Sequence, residues 1–272
     1  MKTIIIIIIF IIIFYICYLL YKILYFTNNY TSITKNSIIK KPECISEFYM
    51  ERIISDDMAK KISDRIKNDK YYWNKKRIIL HTLGTASYIE HNNGFDEYKI
   101  TYKLTNKILK ENYNDLLNII LNYFQKRCPN SKVKYRFAYP GFHIFTCNIL
   151  FSLPVASVHQ DHQYMLLKFN KNEIIDLSKT LSFTLCLELP TNGGGLYVFD
   201  KEKIDYNDTM FGLPIKTEKT KIDYYPGYIV CHNGLTTHMI APSFNICDNN
   251  YRITLQGHGV YEKNSNTWYL YW

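Results

Sequence analysis

Val158-His159-Gln160-Asp161-His162-Gln163-Tyr164 is the stretch around which the chain is organised. Read as a β-strand, it points residues i and i+2 to one face, so His159 and Asp161 present an imidazole and a carboxylate to a common point. Together they make two thirds of a 2-His-1-carboxylate metal face, a constellation that leaves coordination positions open to small ligands. His162, adjacent to Asp161, would face the other way and drops out as a ligand. Gln163 and Tyr164 stay as unassigned pocket candidates. The stretch therefore calls for a second histidine, an anchor for a cosubstrate and a barrel to hold them.

Working outward, the chain after Pro129 consists of short β-prone runs separated by Pro, Gly and Asn. Strands are expected near 133–138, 142–151, 156–161, 180–189, 195–199, 227–232, 237–241 and 251–260. Such punctuation at this spacing suggests a jelly-roll or cupin-like barrel. Within it, His232, His238 and His258 are the downstream candidates for the second imidazole. The run Tyr225-Pro226-Gly227-Tyr228-Ile229-Val230-Cys231-His232 launches a strand from a Pro-Gly turn, and the loop after it can carry His238 back toward His159 and Asp161. His238 is the choice and His232 the reserve.

Arg252 and Thr254 lie fourteen residues or more beyond His238 and share a strand face. A guanidinium in that position can hold the far end of a dicarboxylate through paired, charge-assisted hydrogen bonds, with the hydroxyl adding another.

The ordered set resembles the 2-oxoglutarate and Fe(II)-dependent dioxygenases, especially their prolyl 4-hydroxylase-like branch. The residues that carry the resemblance are Pro140-Gly141-Phe142-His143-Ile144-Phe145, His159-x-Asp161 and Leu181-Ser182-Phe183-Thr184-Leu185-Cys186-Leu187-Glu188-Leu189. They continue with Gly193-Gly194-Gly195-Leu196-Tyr197-Val198-Phe199, the Pro226-Gly227 strand, His238 and Arg252-x-Thr254. They span roughly residues 135–262. The resemblance implies a double-stranded β-helix, Fe(II) on His159, Asp161 and His238, and 2-oxoglutarate held by Arg252 and Thr254, with ascorbate as an optional addition. It also implies hydroxylation of an unactivated C–H bond on a protein or peptide side chain. The hydroxyl that often assists the 2-oxoglutarate carboxylate has no clear counterpart; Thr146 and Tyr139 are the candidates. A non-catalytic jelly-roll binding module, and a cupin-like metalloenzyme with another cosubstrate, are the alternatives.

At the front of the chain, residues 3–21 (TIIIIIIFIIIFYICYLLY) carry no charge and as a helix would span about 28 Å, close to a bilayer's hydrocarbon core. The run exceeds a typical signal-peptide core and no small-x-small cleavage site follows, so it reads as an uncleaved single-pass anchor. Lys22, Lys35, Lys40 and Lys41 lean toward a cytosolic body. The sequons Asn29-Tyr30-Thr31 and Asn207-Asp208-Thr209 would suit a lumenal one, and the side is left open. The chain thus divides into a transmembrane anchor (1–26), a polar stalk (27–45), a helical support region (46–132) and a dioxygenase domain (133–272). In the support region, apolar spacing predicts helices over 46–69 and 103–127, the second with a stripe through Leu104, Ile108, Leu116, Leu117, Ile120, Leu121 and Phe124. His81–Asn93 has no assigned role. The fold expected is mainly β with N-terminal helices, its jelly-roll core preceded by a transmembrane helix.

Charge and cysteines narrow the partners. The formal charge of +9 lies in the front half, where residues 1–138 hold 23 Lys/Arg against 12 Asp/Glu, while residues 139–272 hold 10 against 12. The lysines are interspersed with acids and no aromatic-basic motif appears, so a solvated, lysine-biased helical surface is expected and a nucleic-acid partner is not; the membrane partner rests on the N-terminal helix. None of the seven cysteines (Cys17, Cys44, Cys128, Cys147, Cys186, Cys231 and Cys247) forms a C-x-x-C pair, which argues against a zinc knuckle or thioredoxin-type site.

Overall fold

The computed structural model describes residues 2–35, 48–90, 94–154, 156–204, 209–210, 213–244 and 250–272. Helix α1 (Lys2–Asn28) is followed by β1 (Thr31–Ile33), β2 (Tyr49–Arg52), α2 (Asp56–Asn68) and β3 (Leu80–Leu83). Then come α3 (Ser87–Glu90), α4 (Phe95–Arg127), β4 (Lys132–Tyr135), β5 (Gly141–Cys147), β6 (Ile175–Glu188) and β7 (Leu196–Phe199). The last strands are β8 (Lys219–Ile222), β9 (Tyr228–His232), β10 (Thr237–Ile240), β11 (Asn250–Glu262) and β12 (Thr267–Tyr271).

Two sheets face each other. The major sheet runs β2-β9-β6-β11-β5-β3, with β12 pairing the far end of β11 and β4 beyond it; the minor sheet runs β1-β8-β7-β10. Strand alternation sorts side chains cleanly. Phe142, Ile144, Leu181, Phe183, Leu185, Ile229, Cys231, Ile253 and Leu255 point outward from the major sheet into the main core, against α2 and α4. Their neighbours His143, Ser182, His232, Arg252, Thr254 and His258, all buried, therefore point between the sheets. A mainly β chain whose polar residues line a space between two sheets is what a jelly-roll core requires.

The helices buttress the major sheet. Ser55 caps α2 by accepting a hydrogen bond from Met58 N at 3.2 Å, and Ala59, Ile62 and Ile66 are buried. The helix expected over 46–69 is thus shorter, because Tyr49–Arg52 form β2, an edge strand beside β9. Helix α4 starts earlier than expected and kinks at Tyr113, whose ring lies 4.9 Å from Phe142 and whose hydroxyl bonds Asp69 at 2.7 Å. Leu104, placed on the apolar stripe from sequence, is 65% exposed, since it lies off the buried face that runs through Tyr98, Leu109 and Tyr113. The unassigned His81 region contributes β3 to the main sheet; residues 91–93 lie outside the described residues.

Helix α1 is long and apolar enough to cross a membrane, a test that a signal sequence also meets. Its last turn does more than follow the anchor. Phe26, fully buried, stacks on Phe199 at 6.3 Å and meets Tyr197 edge-on, packing beside Met239. Tyr197 OH donates to Thr27 O at 2.7 Å, and Lys219 Nζ donates to Asn29 O at 2.8 Å while lying 4.0 Å from the Phe26 ring centre. Burial pushes the Lys219 ammonium down to about 8. Strand β1 then pairs in parallel with β8. The first part of the expected stalk is therefore sheet, too short for any hydrophobic period to announce it; residues 36–47 lie outside the described residues.

Candidate metal centre

His159 and Asp161 are brought together as expected but by different means. Residues 156–161 are not a strand: only His159 forms a β-bridge, with His238 of β10. His159 N donates to His238 O and His238 N to His159 O, both at 2.9 Å, and Asp161 N donates to Gly234 O at 2.7 Å. An extended segment lacking neighbours on both sides cannot form a ladder, so the two backbones fix each other at single points. His159, Asp161 and His238 each offer a ligand atom within 4.8 Å of the others, the group among the described residues able to hold a metal ion.

The donor chemistry suits a cation. His159 Nδ1 lies 2.8 Å from Ser157 O and His238 Nδ1 lies 2.8 Å from Thr236 O. A carbonyl can only accept, so both imidazoles carry hydrogen on Nδ1 and keep the Nε2 lone pair free. Those Nε2 atoms stand 3.7 and 3.6 Å from Asp161 oxygens. Asp161 is oriented by Gln163 Nε2, donating to Oδ1 at 2.9 Å, and by Ser182 Oγ, donating to Oδ2 at 2.6 Å. Burial opposes its ionisation, but His238, His258, His232 and His159 together hold the carboxyl well below the usual carboxylate range. Burial also pushes His238 down to about 4, the nearby Asp161 opposing, and lowers His232 and His258.

The remaining histidines sort by position. His232 is buried with its ring 4.8 Å from His238, yet it lies outside the three-residue group. His162 is exposed and turned to Gln160 Oε1 at 3.1 Å. His258 Nδ1 lies 3.0 Å from Ser182 Oγ and 3.8 Å from Asp161 Oδ2.

Arg252 is fully buried and, among the described residues, makes no ion pair with a carboxylate. Its Nε donates to Gly194 O at 2.6 Å and its Nη1 to Thr254 Oγ1 at 3.3 Å, with the rings of Tyr224 and Phe145 at 5.5 and 5.7 Å. Gly193 and Gly194 both adopt positive φ, which lets the triple-glycine turn aim that carbonyl inward. A buried guanidinium with donors to spare is costly unless an anion joins it. The hydroxyl candidates Thr146 and Tyr139 do not meet it: Thr146 turns to Ile79 O, and Tyr139 lies tilted against Tyr135, half-buried beside the main core. Tyr224 stands there instead. Sequence reasoning passed over Tyr224 and Ser182, although Ser182, Thr184 and Cys186 alternate as small, inward residues along β6. It also missed Tyr88, whose hydroxyl reaches His143 Nε2.

No family model matches the chain, and no curated protein matches it. Among solved structures it is similar to an N-substituted L-amino acid dioxygenase from Burkholderia ambifaria, at 12% identity and TM-score 0.51, covering 83% of this chain and 86% of that one. It is also similar to a 2OG-Fe(II) oxygenase family oxidoreductase from Burkholderia pseudomallei (9% identity, TM-score 0.45, 80% and 85% covered). A Pseudomonas putida prolyl-4-hydroxylase aligns as well (12% identity, TM-score 0.36, 78% and 90% covered). The last two likenesses are too loose to carry weight. The first shows the fold: the chain shares the architecture of that dioxygenase, and a His-Asp-His group lies within it.

Proposed function

We propose that the protein is an Fe(II)- and 2-oxoglutarate-dependent dioxygenase that hydroxylates an unactivated C–H bond. The observation that carries this reading is the pairing of a three-residue, tautomer-fixed ligand set with a fully buried, uncompensated Arg252 in the same barrel. His159, Asp161 and His238 would hold the iron, and Arg252 with Thr254 the distal carboxylate of 2-oxoglutarate. When bound, the pair would supply the oxidising power that couples loss of carbon dioxide from 2-oxoglutarate to hydroxylation, one atom of dioxygen going to the alcohol and one to succinate.

The chain's own contribution is positioning. Carbonyls of Ser157 and Thr236 keep both imidazoles in the ligating tautomer, and Ser182 and Gln163 fix the carboxylate. The rings of Tyr224 and Phe145 screen the anion anchor from water, which strengthens its grip on a carboxylate. A protein or peptide side chain is the substrate class carried forward from the sequence. Helix α1 reads as a single-pass anchor, supported by the burial of Phe26 and Thr27 against the domain, which leader cleavage beyond them would undo.

The test is Fe(II)-dependent succinate formation by the full chain in detergent. Asp161→Ala and His238→Ala are each expected to abolish it in folded protein; undiminished turnover in either sinks the assignment. A non-catalytic binding module is the rival, and it gives no account of a metal-ready triad beside a buried cation.

A further inference from the structure

Asp161 uses up the donors around it, and two acceptors are left over. Gln163 gives its amide N–H to Asp161 Oδ1, which fixes the orientation of the group, and its Oε1 has no partner among the described residues although Gln163 is only 7% exposed. Ser182 gives its single proton to Asp161 Oδ2 at 2.6 Å. The 3.0 Å contact between Ser182 Oγ and His258 Nδ1 must therefore take its proton from the imidazole, so Nδ1 carries hydrogen and Nε2 the lone pair. His258 Nε2 is also buried without a partner among the described residues.

Each buried, unpaired acceptor costs about 1–3 kcal/mol, so two beside one carboxylate call for a ligand that brings donors. Electron-rich rings lie against the histidine. Tyr88 and Tyr271 lie 6.3 and 5.7 Å from the His258 ring, and α3, which carries Tyr88, packs on the turn that carries Gln163.

We infer that this flank is the subsite for the second substrate and that it binds an aliphatic amine, with Gln163 Oε1 and His258 Nε2 accepting its N–H groups. The inference rests on the oxygenase reading above. An ammonium group offers three donors and no acceptor, so one group satisfies both atoms, whereas a hydroxyl has one donor to give. Aromatic faces favour a cation further. Fe(II), Asp161, 2-oxoglutarate and Arg252 together carry no net charge, so the loaded site does not repel one.

The experiment uses ligand-observed NMR on the full chain in detergent, with n-butylamine, n-butanol and butyrate as probes and succinate formation measured in parallel. n-Butylamine is expected to bind at least about tenfold more tightly than butyrate. Gln163→Met should erase about a tenfold share of that preference. His258→Asn, which retains a donor to Ser182 but lacks Nε2, should do the same. Equal binding of amine and butyrate, or no binding of amine, overturns the subsite. Absence of succinate under every condition overturns the oxygenase reading instead. A lysine-containing peptide that displaces n-butylamine, where its norleucine counterpart fails, assigns the amine to a side chain; no displacement assigns it to a free small molecule.

Discussion

His159 and His238 exchange both of their backbone hydrogen bonds, which holds the two imidazoles with ring centres 4.5 Å apart although only one of them sits in a strand. The carboxylate between them depends on side-chain donors. Ser182→Ala removes the shorter of its two hydrogen bonds and is expected to lower metal affinity by about 10–100-fold. Titration with Co(II), followed by absorbance, measures this; an affinity equal to that of the wild type removes Ser182 from the site.

Arg252→Met separates binding from stability. The substitution replaces a buried, uncompensated charge by an apolar chain of similar reach, so the cofactor-free protein should gain about 1–4 kcal/mol. At the same time 2-oxoglutarate is expected to raise the Tm of the wild type but not that of the variant. A variant that loses stability and still responds to 2-oxoglutarate would contradict the role of Arg252 as anion anchor.

His143 sets a pH dependence. Burial pushes it down to about 3, the nearby Arg252 acting in the same direction, while in the unfolded chain a histidine takes up its proton near 6.5. Above that pH neither state is protonated here. As pH falls from about 6.5 toward 3, only the unfolded chain gains the proton, and folding free energy drops by up to about 1.4 kcal/mol per unit. Urea midpoints of the metal-free protein should therefore fall across this window, and His143→Gln should flatten the slope by about one proton. An unchanged slope would show that His143 does not contribute.

Removal of Phe26 is expected to cost about 3–5 kcal/mol, the range for a large buried aromatic. A fragment beginning near Lys41 loses Phe26 and β1 together and should expose Tyr197, Phe199 and Met239. Dye binding and thermal melts of that fragment, against one beginning before Tyr25, decide the matter; equal melting temperatures would mean that α1 is not docked.

Much of the barrel could be read in the sequence because alternation on β6, β9 and β11 separates Phe183, Leu185, Ile229 and Leu255 from Ser182, His232 and Thr254, and the Pro226-Gly227 turn marks where a strand starts. The grouping of His159, Asp161 and His238 was legible through chain order. Its local basis was not, since a single β-bridge leaves no periodic trace and 156–161 mimics a strand. Residues 46–69 misled because Phe48, Met50 and Ile53 fit a helical period while serving an edge strand and its exit. Tyr88 and Tyr224 lay in segments without periodicity, where only the folded chain brings them to His143 and Arg252.

On β10, His238 points into the barrel while its neighbour Met239 packs in the cluster that receives Phe26. A single peptide unit thus separates the candidate metal ligand from the seat of the apolar helix. There is no slack between them: strain on α1 would be borne by the ribbon that carries His238, and a one-residue slip of that ribbon would exchange the ligand for the seat. The helix end in this sense belongs to the frame of the candidate metal centre, seated one residue along the ribbon from His238.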